Sequence, residues 1–248
     1  MAINLCIDWG NSRVKTAIFG PNDTLLETQH FDEAQAHQVL QELIEKHQPQ
    51  AAIFCSVVNG TEQTEQMLRE KVQYYVKLDD NARLPIMNAY HSPGTLGGDR
   101  VALVVGAYGL FPDKNNLVIG LGTCVTYNFL HKNKAFRGGA ISPGLHMRFK
   151  AMNAFTDKLP EVEPEGDLLL MGYDTETAMR SGVVNGMTFE IDGMIDAYNA
   201  QYPDFNAVLT GGDAAFFGTK LKNKIFADPN LLLKGLNLIL KYNVPQIR

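Results

Sequence analysis

The chain is predicted to be an α/β protein built from two similar halves with a cleft between them. Three observations lead there. Short uncharged runs such as Ala51–Val57 have no polar face, as strands buried in a parallel sheet require. They alternate with stretches of helical period. A glycine turn at the end of the first such run, Ile7-Asp8-Trp9-Gly10-Asn11-Ser12, lines up with Ile119-Gly120-Leu121-Gly122-Thr123-Cys124, 112 residues later. An offset near half of 248 residues is what a duplicated unit gives.

The elements follow in order. Ile3–Asp8 reads as a buried strand, and Val14–Phe19 alternates as a second, so the turn between them makes a hairpin. Thr24–Gln29 is a third strand. Asp32 can cap a helix over Asp32–His47, whose apolar face is Val39, Leu40, Leu43 and Ile44. Strand Ala51–Val57, helix Thr61–Val72 and strand Gln73–Leu78 complete a β-β-β-α-β-α order. Helix Val101–Leu110 follows. Val125–Leu130 and Arg137–Ala140 repeat the second and third strands after the matched turn. Helices are expected at Leu145–Phe155, Thr175–Tyr198 and Asn230–Lys241, with a strand at Ala207–Thr210 running into Gly211-Gly212-Asp213. The halves are 1–112 and 113–248.

Bulk properties exclude several classes of function. With 45% hydrophobic and 20% charged residues, the chain has the balance of a soluble enzyme. A net charge of -5 argues against general affinity for nucleic acid, which needs clustered cations. The short basic run Arg148-Phe149-Lys150 reads as a solvated helix face. Met1-Ala2-Ile3-Asn4-Leu5 has no basic region and leads to Asp8, unlike a secretory signal. The longest apolar stretch, Val101–Phe111, is short of the roughly 20 residues that span a bilayer. Cys6, Cys55 and Cys124 lie in strand-like runs without CxxC spacing, so they read as reduced, buried thiols of a cytoplasmic protein.

The glycine turns carry the chemistry. Glycine lets backbone N–H groups approach an anion, and Asn11, Ser12 and Thr123 add side-chain donors. One such turn is common in ordinary hairpins; two at matched positions, with a third after Thr210, fit a nucleotide. No GxxxxGK[ST] sequence occurs, so this is not a P-loop. Asp8, at the mouth of the first turn, is either a turn aspartate or a carboxylate for phosphate-bound magnesium. The glycine-rich stretch Tyr90–Arg100 opens a helix, with Asp99 at or near its N-cap and Arg100 offering a cation to an anionic substrate. An aspartate there caps the helix or accepts the proton of an attacking hydroxyl.

Asp8-Trp9-Gly10-Asn11-Ser12 resembles the first phosphate motif, DxGN[ST], of the type III pantothenate kinases. Gly97-Gly98-Asp99-Arg100 resembles that family's GxDR motif, again with a preceding tyrosine, Tyr90. Gly122-Thr123 is similar to its second phosphate loop, and Gly138–Gly144 to its GGxIxPG turn. Thr156 with Leu159-Pro160, Asp174-Thr175 with Ala178–Gly182, and Thr210–Asp213 are similar to later motifs, in order along most of the chain.

The resemblance implies a duplicated ribonuclease-H-like (actin-like ATPase) fold and ATP-dependent phosphorylation of pantothenate, the first step of coenzyme A biosynthesis. It implies ATP at Asp8, Trp9, Gly10, Asn11, Ser12, Arg13, Val14, Lys15, Gly122, Thr123, Gly211 and Gly212. Pantothenate is implied at Tyr90, Gly97, Gly98, Asp99, Arg100 and Thr175, with Asp99 as the proton acceptor and Asp8 positioning Mg2+, directly or through water. It also implies a homodimer whose interface helps shape the pantothenate site. One departure stands out. The family's second loop carries an aspartate for a monovalent cation, K+ or NH4+, where this chain has Gly120, and Asn128 stands where many relatives have a second acid. Gly120 is the feature that favours a second reading, a catalytically weak member acting as a regulator or binding module. Retention of Asp8, Asp99 and Arg100 opposes it. A kinase of another small hydroxyl compound is the third reading.

Overall fold

A computed structural model describes residues 2–202 and 204–247; Met1 and Arg248, the outermost residues of the two expected halves, lie outside the described residues, as does Pro203. The chain divides into two compact units.

The first unit opens with β1 (Asn4–Trp9), β2 (Val14–Phe19), β3 (Leu25–Phe31), α1 (Ala36–His47), β4 (Ala51–Ser56), α2 (Glu62–Lys71), β5 (Tyr74–Lys77), β6 (Met87–Asn88) and α3 (Gly98–Leu110). Its sheet runs β3-β2-β1-β4-β5. β1 pairs antiparallel with β2 and parallel with β4, so its six residues, all buried, form the centre. β3 is half-buried by alternation, as its mixed sequence dictates for an edge. α1 starts later than Asp32, after a 3-10 turn at Glu33–Gln35, and lays Ala36, Leu40, Leu43 and Ile44 on the sheet. Gln48 stops it in a left-handed conformation, φ 48°, donating its N–H to Ile44 O at 2.8 Å.

The second unit contains β7 (Asn115–Leu121), β8 (Cys124–Leu130), β9 (Ala135–Pro143), α4 (Leu145–Ala154), α5 (Thr175–Arg180), α6 (Gly186–Gln201), β10 (Phe205–Thr210), α7 (Ala214–Gly218) and β11 (Phe226–Ala227). Here five strands of a six-stranded sheet, in the order β9-β8-β7-β10-β11, repeat the first sheet, with β7 antiparallel to β8 and parallel to β10; β6 is the sixth, beside β9. The duplication expected from two glycine turns is thus present in topology. The start of β9, Ala135–Arg137, groups with the first unit, where Ala135 and Phe136 pair with β6. The helix expected over Thr175–Tyr198 is continuous but carries a π turn at Ser181–Asn185, between α5 and α6.

After the second unit the chain returns to the first. α8 (Leu231–Asn243) packs on α3, β1, β2 and β4, whereas a boundary at 112/113 leaves it in the second half. The reason is a crossing at two glycines. A Cβ on Gly106 would overlap Leu231 O, and one on Gly235 would sit 2.8 Å from Ala102 C, so the two backbones meet without side chains between them. Asn4 Nδ2 donates to Asn237 Oδ1 at 2.8 Å, and Lys241 Nζ donates to Asp23 Oδ2 at 2.8 Å, which fixes the helix on the sheet. Among the described residues, no helix is long and apolar enough to cross a membrane.

Candidate active site

In the first unit, the end of β1 and the start of α3 bring two carboxylates together. Asp8 is 3% exposed and sits in the ladder opposite Lys15 on β2 and Cys55 on β4. The Lys15 ammonium lies 3.6 Å from Asp8 Oδ2. Burial pushes the Asp8 carboxyl up to about 6; Lys15 opposes the shift and the charge of Asp99 adds to it. Asp8 Oδ1 has no hydrogen-bond partner among the described residues. A buried carboxylate oxygen left in this state suits a hard cation, so the site fits phosphate-bound magnesium through this one side chain. Among the described residues, no group of three or more His, Cys, Asp or Glu could hold a metal by itself.

The turn after Asp8 is closed by Gly10 N–H donating to Arg13 O at 3.2 Å, which leaves Asn11, Ser12 and Arg13 exposed. Trp9 and Val14 turn inward. Trp9 meets Phe54 edge to face at 6.0 Å, so only the backbone of these two residues is on offer to a nucleotide.

Gly97, not Asp99, is the N-cap of α3; Asp99 is the second helical residue. Its Oδ1 accepts the Arg100 N–H at 2.8 Å, a donor shared with Gly97 O at 3.1 Å in the tight first turn. A Cβ on Gly97 would overlap that same Oδ1, so the glycine makes room for the carboxylate. Arg100 is not displayed at the helix tip. It is 6% exposed, with its guanidinium 5.6 Å from the Tyr90 ring centroid and 6.0 Å from that of Phe136. The two rings stack at 6.2 Å, so Tyr90 and Arg100 are held as one assembly.

In the second unit, three glycine turns meet. Gly122 and Thr123, both exposed, link β7 to β8, with Gly122 N–H donating to Cys124 O at 3.2 Å. Gly144 donates its N–H to Thr123 O at 3.1 Å; a Cβ there would overlap Gly122 O. Gly211, at φ 103°, approaches Leu121 so closely that a Cβ would sit 2.6 Å from its carbonyl carbon. Gly212 is exposed beside it. Asp213 donates its N–H to Leu121 O at 3.3 Å; burial raises its carboxyl pKa, with His146 opposing. Gly120 lies one strand residue earlier, buried, opposite Thr210 and Thr126. Asn128, fully buried, donates Nδ2 to Val118 O at 3.3 Å and Thr126 Oγ1 at 3.1 Å. Thr175 is exposed as the first residue of α5, where Asp174 is the cap and accepts Thr177 N–H at 2.8 Å.

Two residues, one in each unit, carry no functional signal in the sequence. Glu190 on α6 accepts from Tyr127 OH at 3.0 Å, from Ser142 Oγ at 2.6 Å and from Arg148, whose Nε donates to Pro143 O at 2.8 Å. Burial pushes the Glu190 carboxyl up, but these donors outweigh it and hold the group below its usual range. Arg148, expected on a solvated face, is therefore an ion-paired brace of the Ser142–Gly144 turn. Cys55 is the other, lying between Asp8 and the first turn of α3.

The family model for type III pantothenate kinases matches residues 4–197. A type III pantothenate kinase of Bacteroides fragilis (strain YCH46) is 44% identical over 241 residues, 97% of this chain and 98% of that protein. One from Christiangramia forsetii is 41% identical over 245 residues, 98% of this chain and all of that protein. In architecture, the chain is similar to the activator of the 2-hydroxyisocaproyl-CoA dehydratase from Clostridium difficile, solved with bound ADPNP. The TM-score is 0.56 at 11% identity, over 99% of this chain and 95% of that one.

Proposed function

The chain belongs to the type III pantothenate kinase family, and we propose that Asp99 takes the proton of the pantothenate hydroxyl as that oxygen attacks the γ-phosphorus of ATP. The enzyme is an ATP-dependent pantothenate kinase on a duplicated ribonuclease-H-like fold, and its product feeds coenzyme A biosynthesis. A bond forms between the hydroxyl oxygen and phosphorus, and the bond from phosphorus to the ADP oxygen breaks. Asp8 would hold magnesium, which when bound neutralises charge on the phosphates. Lys15, the backbone of the Gly10–Arg13 turn, and the side chains of Asn11, Ser12 and Thr123 hold phosphate oxygens. Gly211 and Gly212 leave room for the adenosine. Tyr90, Gly97, Gly98, Arg100 and Thr175 face pantothenate, Arg100 acting through the ring of Tyr90. Catalysis is then mostly positioning and charge neutralisation.

The observation that carries this reading is the unpartnered, buried Oδ1 of Asp8, a carboxyl that also feels the charge of Asp99. Asp99→Asn tests it in a coupled assay of pantothenate-dependent ADP release. Turnover should fall about 100-fold with the fold intact, the usual scale of a lost general base; a loss under threefold would leave Asp99 a structural residue of the helix start.

A homodimer is part of the proposal. Leu170, Met171, Tyr173, Phe155 and Phe189, all in the second unit, are 63–87% exposed, more large apolar surface than water tolerates well. Tyr173 lies two residues from Thr175, so a partner seated there would help form the pantothenate site. A cytoplasmic location agrees with the buried free thiols of Cys6 and Cys55.

A further inference from the structure

We propose that Cys55 is a positioning residue of this kinase: its sulfur is the seat of the first turn of α3 and fixes where Asp99 stands relative to Asp8. The proposal rests on the reading of Asp99 as the proton acceptor.

Cys55 is fully buried on β4, in parallel register with Asp8 on β1. The first residue of α3, Gly98, comes down on it. A Cβ on Gly98 would lie 2.9 Å from Cys55 Sγ, well inside the about 3.5–4.0 Å at which nonbonded atoms rest. Leu78 closes the other side, with Cδ2 and Cγ at 3.5 Å from that same point. The helix start is thus held between a sulfur and a leucine, with no space for one more carbon. Asp99 is the next residue, and its carboxylate fills the space that Gly97 leaves. The two adjacent glycines therefore do different things: Gly97 admits the carboxylate, and Gly98 lets the helix reach the strand.

Both carboxylates act on the thiol. Burial raises the Cys55 pKa well above its ordinary value, and the charges of Asp8 and Asp99 raise it further. The group stays a neutral thiol, a weak donor that draws neither acid toward itself. A serine hydroxyl would be shorter and a stronger donor, and a valine would push the helix off. Sulfur size and glycine at 98 are complementary, so a change in one should be repaired by the opposite change in the other.

A double-mutant cycle in the intact enzyme tests this, with kcat, KM for both substrates and thermal unfolding measured for Gly98→Ala, Cys55→Ala and the pair. Gly98→Ala should lower kcat about 10-fold or more, since displacement of a reacting group by a fraction of an ångström is enough, while KM for ATP changes less than about threefold. The double variant should return to within about threefold of Cys55→Ala, because the new Cβ occupies the space that the sulfur leaves. Wild-type kcat in Gly98→Ala, or a double variant no faster than Gly98→Ala, overturns the proposal. If Gly98→Ala does not accumulate as folded protein, Cys55→Val presses on the same contact from the strand, and an unchanged kcat there overturns it equally. Failure of the Asp99 reading is distinguishable: Asp99→Asn would then keep its activity, while a Cys55–Gly98 coupling would remain in thermal unfolding alone.

Discussion

Replacing Asp8 by asparagine is expected to disable the enzyme and, at neutral to alkaline pH, to make the empty protein more stable. The carboxyl is raised from 3.8 to about 6, chiefly by burial. At about 1.4 kcal/mol per pKa unit, keeping it ionised in the folded state costs on the order of 3 kcal/mol. An amide in the same place still lacks a partner for its oxygen, which takes back about 1 kcal/mol. The attraction of Lys15 is already contained in the shifted value and subtracts nothing further. The net gain is about 2 kcal/mol at pH 8. Because the folded carboxyl binds its proton more tightly than the unfolded one, the stability from this group is fully present below about pH 4. It is lost as pH rises through about 6. The advantage of the variant should therefore shrink by about 1 kcal/mol between pH 8 and pH 5. Urea unfolding of both proteins at the two pH values, with EDTA and no nucleotide, measures this directly. A variant less stable than wild type at pH 8, or a gap independent of pH, would refute the reasoning.

Three further outcomes are expected. Gly144→Ala places a Cβ 2.5 Å from Thr123 O, so the second phosphate turn must shift; at about 1–3 kcal/mol of overpacking, KM for ATP should rise about 10-fold with KM for pantothenate nearly unchanged. An unaltered KM for ATP would remove this turn from the nucleotide site. With glycine at 120, activity should respond weakly to K+ or NH4+, and Gly120→Asp should strengthen the response, since hard cations prefer anionic oxygen; saturating stimulation of the natural protein at low millimolar potassium, with ionic strength held by choline chloride, would contradict this. The protein should sediment as a dimer, and Met171→Glu should yield monomers with a raised KM for pantothenate; a wild-type monomer at assay concentration would count against a shared site.

Much of the fold is legible because it is local. Val14–Phe19 reads as a strand although β2 is buried at every residue but Lys15, and Ala51–Val57 is uncharged because β4 has two buried faces. The matched turns at Gly10 and Gly122 are legible as a repeated sequence pattern at two strand ends, although at Gly122 a Cβ would meet nothing nearer than Cys124 O at 4.0 Å. What is hidden depends on residues far apart. Cys55 is one apolar residue among several until β4 is placed beside β1 and α3 above it. Glu190 is 48 residues from Ser142 and has only the composition of a helix surface to mark it. α8 reads correctly as a helix, yet its address follows from Gly106 and Gly235, which nothing in either segment pairs with the other. The π turn at Ser181–Asn185 is equally silent. Its Ser181 Oγ donates to Leu170 O at 2.8 Å and its Asn185 Nδ2 to Leu169 O at 3.1 Å, contacts with a loop of no regular period.

The return of α8 to the first unit has a consequence for how the protein is made. Synthesis proceeds from the N-terminus, and the first unit has β1 to α3 available once Leu110 has left the ribosome. Its sheet still lacks the helix that covers β1, and α3 shows water the glycine face meant for another backbone. The missing piece begins at Leu231, so at roughly 5–20 residues per second the nascent unit waits on the order of ten seconds. The second unit, whose strands and helices all precede Leu231, has no such delay. The half of the molecule that is translated first is therefore the half that matures last, and during that interval α3 and the central strand are surfaces a chaperone would be expected to hold.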